Sequence, residues 1–315
     1  MAFGFFAKFG LQRRGPVDDE QWEPFDHGTS DLYSYFLHLG PLSAAQSRFS
    51  GPVPFWNDIV AHPNYDAFWQ QRNILPHLRG VRAASLVVGG WYDLEDLYGP
   101  LTTYAALRAQ NPGTPSTLVI GPWIHGGWSR TDGAALGDSD FGMKTSEVYR
   151  AVEHSFFRQH LKGGPDAALP AAYLFETGAN RWRSFDAWPP ASAVRHSLLL
   201  QPGGGLALVA TGPAAASIPA AASGRGYDEY ISDPRHPVPC MADPAAGCPR
   251  RFAAADQRFA SARPDVLTYS SDPLQADVTF AGPIEVDLWV QGSGSDADYV
   301  VKVLDENPPR MPGYS

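Results

Sequence analysis

An acid and a histidine stand just past two short apolar runs. The first run reads Leu86-Val-Val-Gly-Gly-Trp-Tyr-Asp93 and the second Leu118-Val-Ile-Gly-Pro-Trp-Ile-His125. In acyl transfer a histidine takes the proton of a serine and returns it to the leaving group, while an acid fixes the ring's tautomer and stabilises the imidazolium. Asp93 and His125 have the residue types and the order to be the acid and base of such a Ser…Asp…His set. Two further carboxylates, Glu95 and Asp96, follow the acid directly. Negative charge placed there could hold a cationic amine by charge-assisted hydrogen bonds, from which a neutral ester would gain nothing. Trp91 and Tyr92 are candidates for lining the pocket, with core packing as the competing reading. Asp93 also has a plainer reading as a turn former or helix cap, and Glu95 and Asp96 as acids at a helix N-terminus.

The elements that must position these residues are two buried strands. Continuous apolar runs of this length bounded by glycine suit the centre of a parallel sheet, and in open α/β sheets catalytic groups sit on loops beyond the strands' C-terminal ends. Acid before histidine is the α/β-hydrolase order, whose nucleophile lies upstream at a Gly-x-Ser-x-Gly elbow. No serine here has glycine two positions away on both sides; Ser139 and Ser295 come nearest and lie downstream of His125. The sequence is therefore expected to be the C-terminal part of a longer enzyme. A helix starting near Pro100 links the two strands, since proline is tolerated in a first turn. A second, from Glu147, should stop at Gly163-Gly164-Pro165.

Before residue 77 the chain is rich in aromatics, with apolar spacings of three and four in Asp31-Leu-Tyr-Ser-Tyr-Phe-Leu-His-Leu and Pro54-Phe-Trp-Asn-Asp-Ile-Val that predict short amphipathic helices. After residue 165, short β-branched runs at 172–177, 197–200, 278–280, 284–290 and 299–304 alternate with Pro, Gly and Ala loops, which predicts an all-β sandwich or jelly roll. The Ala/Gly-rich stretch 210–226 reads as a surface loop. Three domains are expected: a partial helical cap over 1–76, the C-terminal half of an α/β domain over 77–165, and a truncated jelly roll over 166–315.

With 315 residues and 44% hydrophobic composition the chain can bury a large core. Its formal charge of −9 argues against nucleic acid and anionic membrane surfaces as partners, since both call for clustered Lys and Arg. No apolar run approaches the ~20 residues that span a bilayer. Cys240 and Cys248 cannot alone make a four-ligand zinc site, and spacing leaves open whether they are bonded or free. His62, His77, His154 and His160 show no metal-ligand spacing, so neither metal nor cofactor is expected.

The order Ala61-His-Pro-Asn-Tyr-Asp-Ala-Phe-Trp69, then Gly90-Trp-Tyr-Asp93-Leu-Glu95-Asp96-Leu-Tyr-Gly99, then Gly121-Pro-Trp-Ile-His125, resembles the α-amino-acid ester hydrolases and glutaryl-cephalosporanic-acid acylases. These fall within the wider superfamily of cocaine esterase and the X-Pro dipeptidyl-peptidases. Further matching runs are Phe175-Glu-Thr-Gly-Ala-Asn-Arg-Trp182, Tyr230-Ile-Ser-Asp-Pro234, Arg263-Pro-Asp-Val-Leu-Thr-Tyr269 and Asp298-Tyr-Val-Val-Lys-Val303. The resemblance implies an α/β-hydrolase domain, an inserted helical cap and a C-terminal jelly roll. It implies that Asp93 and His125 are the triad acid and base, and that Glu95 and Asp96 belong to a carboxylate cluster holding the substrate ammonium. The implied activity is cleavage of ester or amide bonds in α-amino-acid, dipeptide or β-lactam side-chain substrates; the resemblance favours a periplasmic or secreted enzyme, with a cytoplasmic one left open. A homo-oligomer is left open.

The competing class is a non-catalytic module whose β domain binds carbohydrate or protein, with Asp93, Glu95 and Asp96 collecting a calcium ion. Calcium loops place ligands at alternating positions around a mid-loop glycine, and this run lacks that pattern.

Overall fold

The computed structural model describes residues 2–10, 25–210 and 226–306. It divides into two compact units, one built from the residues up to Leu78 together with Tyr230–Val266, the other from Arg79–Glu229 with the residues from Leu267 onward.

The first unit includes the short helices α1 (Ala2–Phe9), α2 (Leu32–Leu39), α3 (Pro54–Ala61) and α4 (Ala67–Gln70) and, in its later segment, a helical turn at Arg258–Ser261. The predicted amphipathic pieces are α2 and α3. Asp31 caps α2 by accepting the Ser34 N–H at 3.0 Å, satisfying a donor the helix start leaves orphaned. Phe3, Leu39, Phe49, Val53 and Trp56 form the core, with Phe3 stacked on Phe49 and edge-on to Trp56. The segment 230–266 belongs to this unit through contacts such as Tyr33 Oη donating to Pro237 O at 2.8 Å. Cys240 and Cys248 are joined by a disulfide, which answers the question their spacing left open.

The second unit holds β1 (Ser85–Gly90), α5 (Tyr98–Gln110), β2 (Ser116–Gly121), α6 (Gly127–Arg130), the two-residue strands β3 (Ala135–Leu136) and β4 (Ser139–Asp140), then α7 (Thr145–Lys162). After these come β5 (Ala172–Glu176), β6 (Arg181–Phe185), β7 (His196–Gln201) and β8 (Gly205–Ala210). The main sheet runs in the order β1-β2-β5-β6, with β1, β2 and β5 parallel and β6 antiparallel at the edge. Every residue of β2 is buried, in keeping with the apolar run Leu118-Val-Ile at its centre, and Ser116 and Thr117 are buried with it. Alternation along β2 sends Leu118 and Ile120 to the face where Tyr104 of α5 packs, and Val119 to the face where Tyr149 and Val152 of α7 pack. The sheet thus has a helix on each side. The helix α7 stops where the sequence predicts, with Gly163 at φ 60° and the Gly164 N–H donating to Arg158 O at 3.0 Å.

Two expectations for the β region need correcting. The strand predicted at 172–177 forms, but β5 pairs in parallel with β2 and so extends the central sheet instead of opening a separate sandwich. A five-residue apolar strand carries no mark of its partner. The runs at 278–280, 284–290 and 299–304 carry no assigned strand among the described residues, and Ile284, Trp289 and Val300 are exposed. Alternation supplies a face, whereas a strand also needs an edge to bond with. The run at 197–200 is β7, paired antiparallel with β8. Most of the loop expected at 210–226 lies outside the described residues. No described helix is long and apolar enough to cross a membrane.

Candidate active site

Because β1 and β2 run parallel and in register, with Gly90 opposite Gly121, the loops that follow them leave the sheet side by side. Main-chain bonds tie them together: Trp91 N–H donates to Gly121 O at 2.9 Å and Tyr92 N–H to Trp123 O at 3.1 Å. Gly90 is needed at this crossing, since a Cβ there would run into the Trp123 carbonyl. The Asp93 N–H closes back onto Gly90 O at 3.1 Å and sets the acid at a sharp turn.

Both halves of the Asp93 carboxylate are engaged. Oδ1 accepts the N–H groups of Glu95 and Asp96 at 2.9 and 3.0 Å, while Oδ2 lies 3.0 Å from His125 Nδ1. The turn-forming role and the histidine-orienting role are therefore filled by different oxygens of one side chain. That side chain is 1% exposed, whereas the imidazole is 34% exposed. A carboxylate accepts, so the ring proton sits on Nδ1 and Nε2 is the basic nitrogen. This is the tautomer a general base requires.

The structure separates the remaining predicted residues. Asp96 Oδ2 comes to 3.4 Å from His125 Nδ1, so Asp93, Asp96 and His125 form one close group whose ligating atoms lie within 4.8 Å of one another. Glu95 is exposed and outside that group. Tyr92 is half-buried and stacks on Phe141 with 6.2 Å between ring centroids. Trp91 is turned into the core, where it packs on Trp188 and donates its indole N–H to Phe175 O at 2.8 Å.

One supporting lock was not singled out in the sequence. The buried Trp123 donates its indole N–H to Thr145 Oγ1 at 2.8 Å, and Thr145 donates in turn to Gly133 O at 2.7 Å. This chain fastens the segment carrying His125 to the start of α7. Gly133, at φ 69°, is where a side chain would collide with Thr145. A threonine before an acidic helix start reads as a cap, and only the fold shows that it is spent on an indole.

Residues 16–127 match the X-Pro dipeptidyl-peptidase (S15 family), and residues 166–310 match the X-Pro dipeptidyl-peptidase C-terminal non-catalytic domain. Over 272 residues the chain is 30% identical to a cocaine esterase of Rhodococcus sp. (strain MB1 Bresler), covering 84% of this chain and 46% of that protein. The crystal structure of an aminopeptidase from a marine sediment Thaumarchaeota archaeon superposes with a TM-score of 0.67 at 33% identity, over 82% of this chain and 41% of the other. The chain spans about half the length of the curated relatives it matches. An α/β-hydrolase unit with a C-terminal β domain fits both the matched families and the observed sheet.

Proposed function

Matches to two X-Pro dipeptidyl-peptidase segments, with a cocaine esterase among the relatives, support membership of that superfamily, and from this premise we propose that the chain supplies the acid and base of a serine hydrolase. The observation that carries the reading is the 3.0 Å contact between buried Asp93 and half-open His125. His125 Nε2 takes the proton from a serine hydroxyl as that oxygen attacks the acyl carbon, then gives it to the departing alcohol or amine. Asp93 keeps the other ring proton on Nδ1 and stabilises the imidazolium formed in between. The reading requires a serine nucleophile, which these 315 residues do not write as Gly-x-Ser-x-Gly. Its domain division is a partial cap to residue 76, then the hydrolase half, whose sheet continues through β5 and β6 to Phe185, and a β domain beyond.

The substrates of this reading are esters or amides of α-amino acids, dipeptides or β-lactam side chains, with Glu95 and Asp96 offering charge to an α-ammonium. In a protein of the relatives' full length, Glu95→Gln should lower kcat/KM for an α-amino ester by about 1.5–3 kcal/mol, the scale of a charged hydrogen bond. The matching des-amino ester should be almost unaffected. Equal losses on both would reject the ammonium site, and an active His125→Ala enzyme would reject the triad. The calcium-module alternative is the weaker reading, because the close group contains a histidine nitrogen and leaves out Glu95, whereas calcium takes oxygen ligands.

A further inference from the structure

We infer that Asp96 is a second acid partner of His125, a positioning residue that shares the Nδ1–H with Asp93. The inference rests on the triad reading above for its catalytic consequence, and on geometry alone for the contact itself. Asp93 has only Oδ2 to offer the ring, since its Oδ1 is occupied by two backbone N–H groups. One of those groups is the amide of Asp96, held at 3.0 Å, which pins the Asp96 main chain against the buried acid. From there its carboxylate reaches back, and Oδ2 stands 3.4 Å from the same ring nitrogen that Asp93 approaches at 3.0 Å. Glu95, one residue earlier in the same turn, does not enter this group.

The two acids sit in different media. Asp93 is 1% exposed and acts with little screening, while Asp96 is 62% exposed and its attraction for the ring is damped by water and salt. Asp93 therefore dominates in the native enzyme and Asp96 adds a smaller share. The difference shows when Asp93 is neutralised. Replacing a triad acid by its amide can cost ~10⁴ in rate because the imidazole takes the wrong tautomer. Here an anionic acceptor for Nδ1–H remains after Asp93→Asn, and the ring keeps a reason to hold its proton on that side. Asp96 thus belongs to the histidine at least as much as to any substrate amine.

The contact is tested on this chain by NMR with ¹⁵N-labelled histidine, following the downfield Nδ1–H resonance of His125, identified by its loss in His125→Gln. Asp96→Asn, a change at an exposed side chain with little folding risk, should speed exchange of that proton with water. Asp93→Asn should keep the resonance, and the double variant should lose it. A proton whose exchange ignores Asp96→Asn would overturn the inference. In the full-length enzyme assayed with a des-amino ester, which makes no use of an ammonium site, kcat should fall by about 10² in Asp93→Asn and about 10⁴ in the double variant with KM unchanged. Equal kcat in single and double variants would also overturn it. If no variant and no parent hydrolyses any ester, the triad reading has failed, while the NMR experiment still decides the contact.

Discussion

At the scale of single residues, the site turns on how one carboxylate divides its oxygens and on where neighbouring aromatics point. Sequence reasoning offers Trp91 two roles, pocket wall or core. Its indole N–H is bonded to Phe175 O and its ring packs on Trp188. Trp91→Phe keeps a ring in the cluster and strands the carbonyl, so stability should drop by about 1–2 kcal/mol. Urea unfolding of the chain measures that drop. A KM that rises while the urea midpoint stays put would return Trp91 to the pocket. Asp93 is best changed to asparagine, whose side-chain oxygen can still accept the Glu95 and Asp96 amides, because alanine would leave both amides without that acceptor.

At the scale of elements, the parallel pairing of β1 and β2 brings an acid and a base 32 positions apart into contact. The approach is close enough that Gly90 meets the Trp123 carbonyl with no room for a methyl group. Gly90→Ala should force the two loops apart and cost roughly 1–3 kcal/mol, the range for overfilling a packed site. The His125 Nδ1–H resonance should broaden or vanish in the same variant. Wild-type stability together with an unchanged resonance would mean that the loops are not seated against each other. The lock from Trp123 through Thr145 to Gly133 does for α7 what the glycine does for the strands, fixing the His125 segment to a rigid neighbour.

At the scale of the whole molecule, contact does not follow chain order. Residues 230–266 pack with the N-terminal helices, and their loop is closed by Cys240–Cys248, eight positions apart. Cross-linking so short a loop removes about 2–3 kcal/mol of unfolded-state freedom on the chain-entropy account. Cys240→Ser with Cys248→Ser, or reductant, should therefore hasten limited proteolysis, with the first new cuts inside Tyr230–Val266. Identical digestion patterns with and without reductant would show that the bridge adds nothing to this segment's order.

The sequence by itself determined what local physics can write. Glycine-bounded apolar runs marked β1 and β2, proline and paired glycines marked the ends of α5 and α7, and the order of Asp93 and His125 named a chemistry. Each of those signals lies within a few residues of what it specifies. Tertiary structure alone decided the rest, because it concerns partners distant in the chain. Whether Ala172–Glu176 joined β2 or a sandwich depended on which edge stood open, since any strand offers the same row of N–H and C=O groups. Trp91 went to the core, Glu95 to solvent and Asp96 to the histidine although the three lie within six positions of one another. A turn sends successive side chains in different directions, and only the packed neighbours fix which direction meets what.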